Sequence, residues 1–378
     1  MIYFDNGAST YPKPPSVVKA VSSWMQKNGA NPGRSGHKMS MEAAELIYNT
    51  RVAYANLFGL KKPECVILVP NATYALNMVL FGLFEKGDHI ITTDLEHNSV
   101  LRPLWQLQER GVAVSVVPVD FKDDRATITS IMNAIRKNTK AIICTQCSNI
   151  CGRILPIGEI SNKKPKDILL IVDGSQGAGS IITNVSEMGI DYYCAPSHKG
   201  LMGPQGGGIL LINNRAPRPL IFGGTGNESL KLDQPKDLPE HLESGTLPAP
   251  ICAGMLAAAE FIQSNGLGKI CDHKRNLTQY AYSELKNLPK IELYMAPYAQ
   301  HCIGVIPFNI KDKSSSEVGE LLDRYNIFVR SGIHCAPLFH LRMGTEHRGM
   351  VRISFGFMNQ MREIDHLIKI LKKSFIFS

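Results

Sequence analysis

Two patterns of apolar residues divide the chain. From about Ser16 to Ile212, short and wholly apolar runs alternate with longer segments whose apolar positions recur at helical spacing. Cys65 to Val69, His89 to Ile91, Val112 to Val117, Ala141 to Cys144, Ile168 to Val172 and Gly208 to Ile212 read as strands, and Tyr192 to Ala195 as another. Between them, Val17, Val21, Trp24 and Met25 mark one helical face, and Glu42 to Leu57 marks a second helix closed by Gly59. Further helices are predicted from Thr73 and from Ser99 to Arg110.

Continuous apolar strands alternating with helices predict an α/β fold, with a mainly parallel central sheet and helices on both faces. Such sheets place ligands at the carboxyl ends of their strands. Chemically capable residues follow several of these strands: Asn71-Ala72-Thr73, Glu96-His97, Gln146 to Asn149, Asp173 to Gln176, and Ser197-His198-Lys199. Beyond about residue 255 the pattern changes. Two long helices lead into strand-like Ile291 to Tyr294, Ile303 to Phe308, Ile327 to Arg330 and Met350 to Ser354, with helices near Ser315 to Tyr325 and Met361 to Lys373. The expected division is a large domain over 15–255, and a smaller α+β domain formed by 1–14 and 256–378.

Composition narrows the class. Of 378 residues, 44% are hydrophobic and 20% charged, which is ordinary for a globular protein that builds its own core. The net charge of +8 contains no block of like charges, so it reads as a solvated basic surface and predicts no nucleic-acid partner. No apolar run approaches a membrane span, and the N-terminus lacks the pattern of a signal peptide. Nine cysteines, an odd number, with several in apolar strands, fit a reducing compartment, and the expected location is the cytoplasm. Cys144, Cys147 and Cys151 could be read as a metal set, but no fourth ligand has suitable spacing and Cys144 lies inside a strand, so no metal is expected.

Individually, the candidate residues have bland readings. A lysine is usually a surface charge, but Lys199 follows a strand and precedes Gly203-Pro204-Gln205-Gly206-Gly207-Gly208, where backbone can approach a ligand closely. A lysine beside a cofactor forms a Schiff base once its pKa falls. Asp173 is either a helix cap or the partner of a pyridinium nitrogen. Thr73 opens a helix, where N–H groups and the helix dipole suit a phosphate as well as a simple cap. His97 is either structural or a group that stacks on a planar ring and moves protons.

Together these motifs resemble the fold-type I pyridoxal-phosphate enzymes, and within them the class V aminotransferase-like proteins of the cysteine desulfurase family. Asp5-Asn6-Gly7-Ala8-Ser9 resembles the family's opening, and Asn31 to His37 an early loop whose histidine lies near the substrate. The resemblance implies pyridoxal 5'-phosphate held by Ala72 and Thr73 at a phosphate turn, with His97 stacked on the ring. It places Asn149 near the cofactor hydroxyl, Asp173 on the pyridinium nitrogen and Gln176 on the ring oxygen. Ser197, His198 and Lys199 form the Schiff-base motif, although the position three before the lysine, often serine in that family, is Pro196 here. Thr225, in Gly223-Gly224-Thr225-Gly226, is implied to reach the phosphate of a partner subunit in a homodimer.

Arg330 to Ala336 resembles the loop that carries the family's nucleophilic cysteine, Cys335. Met350 to Ser354 resembles the strand whose arginine, Arg352, clamps the substrate carboxylate. The short interval between Cys335 and Arg352 is similar to that of the SufS-like, group II branch. The implied reaction converts L-cysteine to L-alanine with a persulfide on Cys335, for a sulfur-acceptor protein. Lys199, Cys335 and His97 are the implied catalytic residues, and Arg352, Asn149 and His37 the implied substrate contacts. A selenocysteine lyase, a cysteine sulfinate desulfinase and a class V aminotransferase remain open on the residues alone. So does a non-enzyme carrier of sulfur or companion of nucleic acid, although it would need none of Lys199, Asp173 and Arg352 together.

Overall fold

The computed structural model describes residues 1–33, 36–294 and 301–376. Its strands in chain order are Ile2–Tyr3 (β1), Val66–Val69 (β2), His89–Thr93 (β3), Ala113–Val117 (β4), Thr139–Thr145 (β5) and Leu169–Asp173 (β6). They continue with Tyr192–Pro196 (β7), Gly208–Ile212 (β8), Ile291–Leu293 (β9), Val305–Ile310 (β10), Ile327–Phe328 (β11) and Val351–Ser354 (β12). Seven of these strands form one sheet in the order β2-β8-β7-β6-β5-β3-β4. The run from β7 to β4 is parallel throughout, whereas β8 lies antiparallel to both β7 and β2.

The apolar runs explain why this sheet is buried on both sides. Successive strand residues face opposite ways. Ile142 and Cys144 of β5 accordingly join one core and Ala141 and Ile143 another, and β6 and β8 divide in the same way. A third core gathers Phe4 with Leu285, Phe308, Ile353 and Leu367. The N-terminal strand thus travels with the C-terminal elements: β1 pairs with β11, and Asp5 bridges to Ser354 of β12. Strand β12 lies antiparallel to β10, which also pairs with β9.

Three helices lie where the sequence pattern predicts none: Asp124–Asn133, Ile157–Lys163 and Pro337–Met343. The first buries only Thr127, Ile128 and Ile131, and the other two are two turns long, too short for helical spacing to register. Cys65, expected in a strand, closes a short 3₁₀ turn instead, with Pro63 at its start. Among the described residues, no helix is long and apolar enough to cross a membrane.

Candidate active site

Lys199 stands just past the end of β7, in a turn tied together by backbone. Ser197 N–H donates to Gly207 O at 2.9 Å, and Met202 N–H to Lys199 O at 2.8 Å. A Cβ on Gly200 would collide with the Ala178 carbonyl, and Gly179 holds φ +71° against the Gly200 carbonyl. These two glycines let the Lys199 turn touch the loop that follows Asp173. The N-terminal segment covers the same turn: Thr10 Oγ1 donates to Lys199 O at 2.6 Å, and Lys13 Nζ to His198 O at 2.7 Å. Thr10 and Lys13 carry no motif, so their role here is invisible in the sequence.

The amine of Lys199 is pushed down to about 8, mainly by burial. Asp173 opposes that shift, Arg352 and Arg330 reinforce it, and Cys335 opposes it. Lys199, Asp173, Arg352 and Cys335 therefore share one electrostatic neighbourhood. Asp173, 1% exposed, ends β6 and accepts Ser175 N–H at 2.9 Å through Oδ1. Gln176, on the same loop, donates to Gly7 O at 2.8 Å.

His97 caps the helix Asn98–Glu109, and its Nδ1 accepts Ser99 N–H at 2.9 Å. That bond leaves the proton of the neutral ring on Nε2. Burial is the main cause that pushes His97 down to about 4; Asp173 opposes it, while Lys199, Arg330 and Arg102 add to it. The hydroxyl of Thr73 lies 2.9 Å from that of Ser99, beside the start of the helix Ala72–Leu83. Asn71 caps this helix through Tyr74 N–H, leaving its opening N–H groups at Ala72 and Thr73 for another acceptor. Thr73, His97 and Cys335 line one cavity of about 370 Å³.

Arg352, 1% exposed, is gripped from two sides. Its Nη2 pairs with Asp5 Oδ1 at 2.7 Å and its Nη1 donates to Asn149 O at 2.8 Å, while Nε has no partner. Arg330 sits beside it through reciprocal backbone bonds of 3.1 and 2.7 Å. Cys335, partly buried, follows Arg330 in the chain, and its carbonyl accepts Asn98 N–H at 2.8 Å. The cysteine is thereby tied to the residue after His97.

The remaining candidates fall elsewhere or are otherwise engaged. The Ser197 hydroxyl donates to Pro204 O, whereas His198 Nδ1 is buried with no partner. His198 is pushed down to about 4 by burial, with Lys199 and Lys13 adding to the effect. His37 is exposed and caps its own helix by accepting Ser40 N–H; Arg34 and Ser35 of the same predicted loop lie outside the described residues. Thr225 lines a separate cavity of about 430 Å³ with Arg51, Glu243 and Thr246, away from Lys199. Cys144, Cys147 and Cys151 are buried thiols, all pushed up by burial, and Cys147 Sγ donates to Gly152 O at 3.4 Å. Among the described residues, no cluster of side chains could hold a metal ion.

A pyridoxal phosphate fits these residues. Its pyridinium nitrogen calls for a buried carboxylate, which Asp173 supplies. Its phosphate calls for helix N–H groups and a spare polar side chain, which the start of Ala72–Leu83 and the orphaned His198 Nδ1 supply.

Residues 2–367 match the family described as aminotransferase class-V, and the chain belongs to that family. The "Probable cysteine desulfurase" of Methanothermobacter thermautotrophicus is 30% identical, covering 98% of this chain and 94% of that one. A protein of the same description from Pyrococcus abyssi is also 30% identical, over 99% and 94% of the two chains. Among solved structures, the apo cysteine desulfurase from Thermococcus onnurineus NA1 superposes with a TM-score of 0.92 at 29% identity, covering 99% of this chain and 94% of that one.

Proposed function

We propose that this protein is a pyridoxal-phosphate-dependent cysteine desulfurase that converts L-cysteine to L-alanine and leaves the sulfur as a persulfide on Cys335. The observation that carries this reading is the bond from Asn98 N–H to Cys335 O, which holds a cysteine against His97 in a shared cavity. An aminotransferase has no use for a thiol there. The desulfurase names of full-length relatives support the same reading.

Each residue has a task that follows from its setting. Asp173 would keep the ring nitrogen of the cofactor protonated, and the start of Ala72–Leu83 with His198 would receive its phosphate. Pyridoxal phosphate, when bound, supplies the electron sink for bond breaking next to the amino group. Arg352, whose guanidinium Asp5 and Asn149 O orient and whose Nε has no partner in the protein, would receive the substrate carboxylate. Lys199, with its amine near 8, takes the α-proton at Nζ in its neutral form, and the α-carbon regains a proton as alanine forms. The ring of His97, neutral at physiological pH, holds a proton on Nε2 for exchange with substrate. Cys335 attacks as the thiolate: its sulfur bonds to the substrate sulfur, the carbon–sulfur bond of cysteine breaks, and the carbon takes a proton to become the methyl of alanine.

The protein is further read as a homodimer that passes its sulfur to an acceptor protein. Thr225 lies away from its own Lys199, and the segment that follows it exposes Leu230 and Leu232 completely. A partner subunit would cover both leucines and bring its phosphate to Thr225. The test of the function is alanine release from cysteine by the holoenzyme, compared with selenocysteine, cysteine sulfinate and an amino acid plus pyruvate. Preferential alanine formation from cysteine supports the reading, and amino transfer to pyruvate without it refutes it.

A further inference from the structure

We propose that His340 is a positioning residue for the nucleophile, acting through the amide of His334 to set the place of Cys335. The inference rests on the desulfurase reading. His340 lies on the short helix Pro337–Met343 just after Cys335, is 1% exposed, and has both ring nitrogens engaged. Its Nε2 accepts His334 N–H at 3.0 Å, and its Nδ1 lies 2.9 Å from Thr345 Oγ1. Because a backbone N–H can only donate, Nε2 must carry a lone pair, and the neutral ring keeps its proton on Nδ1 for the threonine.

The neighbouring bonds turn that contact into a mount. The ring of His334 stacks on that of His340, with centroids 5.8 Å apart and planes 19° apart. His334 Nε2 lies 3.2 Å from Met350 O and so carries the proton, and Ala336 N–H returns to His334 O at 2.7 Å. On the other side, Cys335 O takes Asn98 N–H. The thiol is therefore held between the His340-bound amide and the first turn of the helix behind His97. The short helix is itself anchored to the large sheet: Arg342 Nη1 donates to Asp94 Oδ2 at 2.7 Å and to Val119 O at 2.8 Å, with its guanidinium 4.3 Å from the centre of the Phe121 ring. A nucleophile must stand within a fraction of an ångström of the attacking line, and a shift of about 1 Å costs on the order of a hundredfold. A buried imidazole with a forced tautomer is suited to fix such a position. A residue that only filled space would not need its nitrogens.

The test compares the holoenzyme with His340→Leu, His340→Gln and Thr345→Val. Leucine fills the space without an acceptor, glutamine Oε1 can replace Nε2, and valine removes the partner of Nδ1 while keeping its shape. Two quantities are read: the first-turnover rate of alanine formation, and the rate at which iodoacetamide alkylates Cys335, followed by mass. His340→Leu is expected to slow the first turnover and speed alkylation, each by about tenfold or more. His340→Gln is expected to stay within about threefold of the parent in both. Equal alkylation in the leucine variant and the parent overturns the proposal, as does equal disturbance by leucine and glutamine. If His340→Leu does not fold, Thr345→Val decides: faster alkylation supports the mount, and an unchanged rate overturns it. Alkylation needs no substrate chemistry, so a parent enzyme that makes no alanine refutes the desulfurase reading while leaving this comparison intact.

Discussion

Arg352 Nη2 and Asp5 Oδ1 form an ion pair at 2.7 Å that joins strand β12 to the N-terminal segment. The guanidinium is almost wholly buried and the carboxylate is 23% exposed, so the acid serves to hold and neutralise the arginine. Asp5→Asn should therefore leave Arg352 less well oriented for a substrate carboxylate. The expected result is a KM for cysteine raised by about tenfold with kcat changed far less. Steady-state kinetics check this, and an unchanged KM would mean that Asp5 has no part in substrate binding.

The amine of Lys199 lies near 8 instead of the usual 10.5, with burial as the main cause. A group lowered in this way is charged below its pKa and neutral above it. Only the neutral amine reacts with the aldehyde of the cofactor. The rate at which the apoenzyme takes up pyridoxal phosphate covalently should rise with pH and level off above about 8, as followed by absorbance. A rate still climbing steeply at pH 10 would contradict the depressed amine.

His198 Nδ1 is buried without a partner, whereas the Ser197 hydroxyl is committed to Pro204 O. His198→Ala should weaken retention of the cofactor by about tenfold, while Ser197→Ala should change it by less. Equilibrium dialysis of pyridoxal phosphate separates the two, and the reverse ranking would move the phosphate contact to the serine.

The sheet was the most legible part of the sequence. Wholly apolar runs such as Ile168 to Val172, too short for an ordinary helix and alternating with helical segments, read as strands covered on both faces, and the structure has Leu169–Asp173 as one. The antiparallel setting of β8 was not legible, because a buried strand carries the same apolar run in either direction. The helix Pro337–Met343 escaped because two turns show no period, and with it went the part played by His340. Asp5 stands in an opening motif, but its bond to Arg352 spans nearly the whole chain, and no local pattern reports such a contact. Thr10 and Lys13 act through the carbonyls of Lys199 and His198, contacts that depend on the fold and not on a motif.

Sulfur acceptance by Cys335 can be read directly from the mass of the protein. The holoenzyme should be given one equivalent of cysteine without an acceptor, and the peptide containing Cys335 weighed, in the parent and in Cys335→Ser. The parent peptide should gain the mass of one sulfur atom as alanine appears, and the serine variant should keep its cofactor absorbance but form alanine at least about a hundredfold more slowly. Alanine formation at the parental rate by Cys335→Ser, or a parent peptide that gains no sulfur, would contradict it.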